Sequence, residues 1–227
     1  MDHTTIRKTF DAQLNDLEQQ VLKMGSFVEG MLDSAMQALV RQDKNLADEV
    51  IHRDDIADQM DLDIEVACIR LLALQQPMSK DLRIISTALK IITDLERIGD
   101  YSVDIARAAK LLADETYFKP LVDLPRMAEL TKKMVRDALQ AFVERSIDKA
   151  LKVCEDDDAI DHINRRLLDE LMDFMRKDPS LIRQAVHFVL ISRYLERIAD
   201  HVTNVAERIV YMETGEFQQI AKSHQGT

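Results

Sequence analysis

The feature that most constrains this chain is a set of long runs in which apolar side chains recur every three or four residues. That period places the apolar side chains on one face of an α-helix, where they can be buried together. The runs predict an all-α protein made of long amphipathic helices. The first run consists of Leu14, Leu17, Val21, Met24, Val28, Met31, Ala35 and Ala38, and the second of Ile56, Met60, Ile64, Ala67, Leu71 and Leu74.

Residues that form turns are scarce, and they lie between the apolar runs. The chain has 5 Gly and 4 Pro among 227 residues, too few for the many turns of a β fold. Asp43, Pro77 and Pro179 mark breaks between helices, and Ser79 is predicted to cap the helix that follows Pro77. In the first half, helices are predicted over about 8–42, from there to Pro77, and from Ser79 to a linker. In the second half, they are predicted over about 126–145, from there to 177, and from the break at Pro179 to 213.

The two halves of the chain resemble each other in sequence. Three segments of the first half recur in the same order in the second: 36–40 as 139–143, 54–58 as 157–161, and 95–100 as 195–200. Because short loops make neighbouring helices antiparallel, the repeats predict two tandem pseudo-repeated three-helix bundles. The predicted domains are residues 1–116 and 126–227, the second with a short C-terminal tail, joined by a linker over 117–125.

Each repeat carries a pair of carboxylates one helical turn apart, which places both on one face of a helix. In an antiparallel hairpin, residues equally far from the turn lie at the same level. Counting residues from each turn places two aspartates of the preceding helix at the same level as each pair of carboxylates. In the first repeat, Glu29, Asp33 and Asp104 are possible additional metal ligands. The predicted metal ligands are Glu96, Asp100, Asp54 and Asp58 in the first repeat, and Glu196, Asp200, Asp157 and Asp161 in the second.

Two interpretations of these acidic groups stay open at this point. Sets of oxygen ligands suit hard cations such as Mg²⁺, Mn²⁺, Ca²⁺ or oxidised iron. Alternatively, the carboxylates belong to solvated helix faces, with Arg97 and Arg197 screening their repulsion. The level of a residue gives only its axial coordinate, so the sequence does not decide whether the acidic faces turn toward each other.

Other kinds of site find little support in the sequence. The formal net charge of −11 argues against nucleic-acid binding, which needs an excess of Lys and Arg. Glycine-rich phosphate loops are absent, and no apolar run reaches the roughly 20 residues of a membrane span. The Glu-x-x-His pattern of di-iron bundles occurs once, at Glu49 and His52, and Cys68 and Cys154 are predicted to be buried. No catalytic group is predicted.

Three segments identify a family that the chain resembles. They are LALQQPMSKDLR at 72–83, DLERIGD at 94–100 and YLERIADH at 194–201. In this combination they closely resemble the PhoU family, the accessory regulators of bacterial phosphate-specific transport. The resemblance extends from about residue 6 to 215. Ala199 stands where the first repeat has Gly99, and Asn204 stands where it has Asp104, which distinguishes the two motifs.

The resemblance implies a fold, a role and a ligand. It implies two three-helix bundles whose third helices bind metal through the two Glu/Asp pairs, with iron, Mn, Mg or Zn as the ion and no organic cofactor. It also implies a cytoplasmic, non-enzymatic adaptor that couples the ATPase subunit of the phosphate ABC transporter to the sensor histidine kinase and represses the phosphate-starvation response. A homodimer is expected, without membrane insertion, although peripheral association through partners is compatible with it. The alternatives are a carboxylate-bridged metalloenzyme and a purely structural acidic bundle.

Overall fold

The chain is helical throughout the part that a computed structural model describes, residues 3–75 and 77–221. These residues contain no β-strand. Residues 1, 2, 76 and 222–227, which belong to the predicted domains, lie outside them, and the predicted domain limits stay predictions. The helices are α1 (His3–Arg41), α2 (Lys44–His52), α3 (Asp54–Gln75), α4 (Lys80–Leu112), α5 (Asp123–Glu144), α6 (Ile147–Lys177) and α7 (Ile182–Thr214), with a 3₁₀ turn at Pro179–Leu181.

The predicted breaks are confirmed, with two differences at the helix ends. The Asp43 carboxylate accepts hydrogen bonds from the backbone N–H groups of Asn45 and Leu46, which caps α2. The second predicted helix is interrupted at Arg53 and forms α2 and α3. Ser79 makes no side-chain capping bond and has a φ of 52°, so the prediction that it caps α4 is wrong. Its backbone turns the chain after Pro77 instead.

Two three-helix bundles make up the described chain, as the repeats predict. In the first, α1 and α4 pack against the α2–α3 arm, and in the second α5, α6 and α7 pack together. The first apolar run is buried along its whole length, from Leu14 to Ala38. The ends of the second run differ from the prediction, because Ile56 and Leu74 are exposed.

The segment between the bundles packs against both of them. The Tyr117 hydroxyl donates a 2.8 Å hydrogen bond to the Leu39 carbonyl at the end of α1. The Tyr117 ring meets the edge of Phe188 with 5.4 Å between centroids, and Phe118 lies 5.1 Å from Phe174 and 5.6 Å from Phe188. The linker therefore forms part of the core of the second bundle.

Contacts between the two repeats cross over. Glu29 of α1 pairs with Arg136 of α5 at 2.6 Å, and Asp33 pairs with Lys132 at 2.5 Å. At the offset of 103 residues, Lys132 is the counterpart of Glu29 and Arg136 is the counterpart of Asp33. Each residue thus meets the counterpart of the other, which is the pattern of a pseudo-twofold axis passing between antiparallel α1 and α5.

The same relation holds where α4 meets α7. The Tyr101 and Tyr194 rings stack with 5.8 Å between centroids, and the His201 Nδ1 lies 2.9 Å from the Asp94 carboxylate. At the offset of 100, Tyr194 is the counterpart of Asp94 and His201 that of Tyr101. The pseudo-twofold arrangement therefore places α3 and α6, which carry the acidic segments, on opposite flanks of the α1–α5 and α4–α7 pairs.

Candidate metal centre

The first acidic cluster lies where α3 runs beside α4. Burial raises the pKa of Asp54, and the carboxylates of Asp100 and Asp58 raise it further. Burial also raises the pKa of Glu96, with added repulsion from Asp100, Asp58 and Asp61. These electrostatic couplings link the four predicted residues of the first repeat across the facing helices α3 and α4.

Asp61 is a member of this cluster that the sequence analysis missed. One of its carboxylate oxygens, Oδ1, is buried and makes no hydrogen bond. Burial raises its pKa, and Glu65 and Asp58 add to the rise. Acidic residues of α3 recur in steps of four, three and four residues, at Asp54, Asp58, Asp61 and Glu65. The helical period of the apolar residues, applied to these acids, therefore predicts that Asp61 lies on the same face as Asp54 and Asp58.

Arg97 lies at the edge of the first cluster. Its Nη1 donates a 2.7 Å hydrogen bond to Asp100 Oδ2, and its Nε lies 3.4 Å from Glu96 Oε2. The Arg97 side chain is half-exposed. The guanidinium therefore screens Glu96 and Asp100 from the outside, while Asp54, Asp58 and Asp61 approach from α3.

The second cluster consists of Asp161 of α6 and Glu196 and Asp200 of α7. Glu196 is only 8% exposed. Its Oε1 accepts a hydrogen bond from Arg193, while Oε2 is buried without a hydrogen bond. Burial raises the pKa of Glu196 to about 7, and Asp200 and Asp161 contribute to the rise. Three of the four residues predicted for the second repeat, Asp161, Glu196 and Asp200, are thus electrostatically coupled.

The two clusters are not equivalent. At the position of Asp61 the second repeat has Asn164, whose oxygen accepts a 2.6 Å hydrogen bond from the Ser192 hydroxyl. At the position of Thr93 it has Arg193, which pairs with Glu196. The second cluster therefore has fewer carboxylates and one additional cation compared with the first.

Asp157 is placed differently from its repeat counterpart Asp54. It is buried in α6 one turn before Asp161. Burial, together with the charges of Glu207 and Asp157, raises the pKa of Cys154 to about 12. The Glu207 carboxylate in turn accepts hydrogen bonds from the backbone N–H groups of Ile220 and Ala221. Asp157 thus belongs to a buried group beneath the C-terminal segment, and both cysteines are buried as predicted.

The three possible additional ligands of the first cluster are each paired with a cation. Glu29 and Asp33 meet Arg136 and Lys132 of α5, as described above. The hydrogen bond from Lys132 lowers the pKa of Asp33 below its ordinary value. Asp104 accepts a 3.0 Å bond from Arg107 one turn along α4. The structure therefore pairs Glu29 and Asp33 with cations of α5 in the second repeat, and Asp104 with a cation of its own helix.

The carboxylates of the two clusters are not grouped around an ion position. Among the residues whose side chains the structure describes, no three or more His, Cys, Asp or Glu side chains are placed so that they could hold a metal ion. Each cluster nevertheless has a buried carboxylate oxygen without a hydrogen bond, on Asp61 and on Glu196. Carboxylates that raise each other's pKa are stabilised by a cation placed between them.

A pH-dependent stability follows from the environment of Glu196. A carboxyl with a higher pKa in the folded state than in the unfolded state costs stability once it ionises, and this cost grows from about pH 4.5 to about pH 7. We expect Glu196→Gln to be more stable than the wild type at pH 8 and equally stable at pH 4. Urea denaturation of both proteins with a chelator present measures this. A difference that stays constant between pH 4 and pH 8 would contradict the assignment.

Comparison with known proteins gives matches over both repeats. The family model of the PhoU domain matches residues 21–109 and 124–209. Two curated proteins named as phosphate-specific transport system accessory protein PhoU homologs are similar to the chain. The one from Clostridium acetobutylicum is 44% identical over 92% of this chain and 96% of its own length. The one from Aquifex aeolicus is 43% identical over 90% of this chain and 92% of its own.

Two solved structures share the fold. The crystal structure of the phosphate transport system regulatory protein PhoU from Streptococcus pneumoniae superposes with a TM-score of 0.88 at 35% identity, covering 92% of this chain and 99% of that one. The crystal structure of PhoU from Pseudomonas aeruginosa superposes with a TM-score of 0.88 at 37% identity, covering 91% and 100%. The likeness extends over both bundles and the linker.

Proposed function

The chain belongs to the PhoU family, and from that premise we propose that it is a cytoplasmic, non-enzymatic adaptor of phosphate homeostasis. In this role it couples the phosphate-specific ABC transporter, through the ATPase subunit, to the sensor histidine kinase and represses the phosphate-starvation response. The observation that carries the proposal is the match of both repeats to relatives named as accessory or regulatory proteins of phosphate transport. The homodimer stays a prediction. None of the helices in the described part of the chain is long and apolar enough to cross a membrane.

We further propose that the acidic clusters bind metal ions, the first more tightly than the second. Asp54, Asp58, Asp61, Glu96 and Asp100 would hold the ion in the first repeat, and Asp161, Glu196 and Asp200 in the second. A bound cation would neutralise carboxylates that now repel each other. Arg97, which bonds Asp100, would then be released to solvent or to an acidic group on a partner. In this way the metal state would change the surface that α3 and α4 present.

The experiment that tests the adaptor function is co-purification of the full chain with the transporter ATPase subunit and the sensor kinase. It is done in Mn²⁺ and in chelator, with Glu96→Gln/Asp100→Asn beside the wild type. We expect both partners to be retained, and retention to depend on cation in the wild type but not in the variant. Failure to retain either partner in any condition would contradict the adaptor function. Cation-dependent turnover of a phosphoester that the variant loses would favour the metalloenzyme instead.

A further inference from the structure

Helix α3 has apolar side chains on two faces, and only one of them belongs to the core. Ala57, Ile64, Cys68 and Leu71 are buried against α1 and α4. On the outside lies a second apolar row, which we call the outer stripe of α3. It consists of Leu62, Val66 and Ile69, which are 50%, 56% and 53% exposed, and the exposed Ala73.

The outer stripe borders a groove between α3 and the first half of α1. The groove has a volume of about 800 Å³. Leu62, Val66 and Leu74 line it from α3, and Leu17 and Ala12 from α1. The steps of four, three and four residues along the outer stripe are those with which one helix packs against another. The groove and stripe together form a surface shaped for an additional helix.

The second repeat shows that the fold itself does not require this apolar surface. At the offset of 103 residues, Arg165 and Asp169 stand where the outer stripe has Leu62 and Val66, and Lys177 stands where the groove has Leu74. Met172, the counterpart of Ile69, is apolar. Both repeats form a three-helix bundle, so apolar side chains at positions 62, 66 and 74 are not a requirement of the bundle.

Charge around the groove favours a basic occupant. Asp16 and Asp63 line it and accept hydrogen bonds from the amides of Gln20 and Gln59, so their charges are not neutralised by a cation. Glu65 lies on the far side of the outer stripe. Among the described residues, Arg70 is the one base that lines the groove. A second copy of this chain, with its net charge of −11, would bring acid against acid.

We propose that the groove and outer stripe bind an amphipathic α-helix of another protein. Its apolar face carries side chains three and four residues apart that contact Leu62, Val66 and Ile69, and its flanks carry Lys or Arg that face Asp16, Asp63 and Glu65. This is recognition of a helix in a groove, with complementary charge adding rate and specificity. The inference rests on the proposed adaptor function because it assumes that the bound helix belongs to a partner protein.

The test uses a labelled 18-residue peptide of Leu and Lys with helical period, titrated with the full chain and followed by fluorescence anisotropy. We expect Val66→Glu/Ile69→Glu to bind it at least about tenfold more weakly than the wild type, because two apolar contacts are lost. Binding by charge alone predicts the opposite, since the variant gains two negative charges. Leu190→Glu, at an exposed apolar position of α7, is the matched control and keeps wild-type affinity. A peptide of Leu and Glu with the same pattern is expected not to bind.

Three outcomes would overturn the proposal. The first is no binding of the Leu/Lys peptide by the wild type, and the second is equal or tighter binding by Val66→Glu/Ile69→Glu with unchanged circular dichroism. The third is a wild-type dimer in sedimentation that this variant converts to monomer, which would make a second copy the occupant. Co-purification of the ATPase subunit and kinase reports separately on the adaptor function. If co-purification fails while the peptide still binds, the adaptor function is contradicted and the helix-binding groove is supported. If the peptide does not bind while co-purification succeeds, the groove is contradicted and the adaptor function is supported.

Discussion

Replacing Glu96 and Asp100 together by Gln and Asn is expected to weaken Mn²⁺ binding at the first cluster by about a hundredfold or more. Even residues that only orient metal ligands change affinity by about 10–100-fold, and here two ligands lose their charge while Asp54, Asp58 and Asp61 remain. Isothermal titration calorimetry of metal-free protein measures the loss. The wild type is expected to show a tight and a weak site, of which the variant retains the weak one.

The same substitutions are expected to have the opposite effect on the metal-free protein. Glu96 and Asp100 repel each other and Asp58, so removing both charges relieves repulsion in the folded state and raises the melting temperature in chelator. Mn²⁺ should then raise the melting temperature of the wild type much more than that of the variant.

The matched control for this prediction is Glu196→Gln/Asp200→Asn, which makes the same changes in the second repeat. It is expected to keep the tight site and lose the weak one. If cations do not change the melting temperature of the wild type, the result would support the alternative of a solvated acidic face whose repulsion is screened by Arg97. Loss of the tight site in the second-repeat variant would reverse the order of the two clusters.

Replacing Phe188 by Ala is expected to lower the free energy of unfolding by about 4 kcal/mol, within the range for buried phenylalanines. Phe188 is 1% exposed, and its ring contacts both Tyr117 and Phe118. Truncation therefore leaves a cavity in the second bundle and also removes the surface on which the linker lies. Urea denaturation measures the stability, and limited proteolysis measures cleavage near residues 117–118.

Phe217→Ala is the control for Phe188→Ala, since it makes the same chemical change at a side chain that is 50% exposed. Phe217 lies beneath the Arg208 guanidinium, 4.4 Å from its ring centroid, a contact worth about 0.5–1 kcal/mol at an exposed site. Its loss should leave the linker protected from protease. Equal destabilisation by the two substitutions, or no faster cleavage in Phe188→Ala, would contradict the part assigned to Phe188.

The axial features of the fold could be predicted from the sequence. The period of the apolar residues gives the helices, and turn residues such as Asp43 and Pro179 give their ends. Counting residues from the hairpin turns places Asp54 level with Asp100 and Asp161 level with Glu196, and the electrostatic coupling of each pair in the structure agrees. The rise per residue is the same in every helix, so levels along a bundle follow from counting alone.

Rotation about the helix axes could not be predicted in the same way. Glu29 and Asp33 lie at the level of the first cluster, yet α1 turns them toward Arg136 and Lys132. That orientation depends on how the two repeats pack, which involves residues about 100 positions apart. Leu74 fits the period of the buried run but lies at the exposed end of α3. Burial at the end of a helix depends on where the neighbouring helices end. The period of the apolar residues in one helix contains no information about those positions.

Crossed contacts between the repeats have a consequence for how charge can be distributed in such a protein. In a dimer of identical subunits, residue 29 of one subunit would contact residue 33 of the other. Acidic residues at both positions would then face each other across the interface. One continuous chain is free of that constraint, and here the first copy holds Glu29 and Asp33 while the second holds Lys132 and Arg136. The same freedom gives the two acidic clusters different numbers of carboxylates. Under the proposed metal binding, two unequal sites would fill one after the other, so a fused pair would respond over a wider range of cation concentration than a symmetric pair.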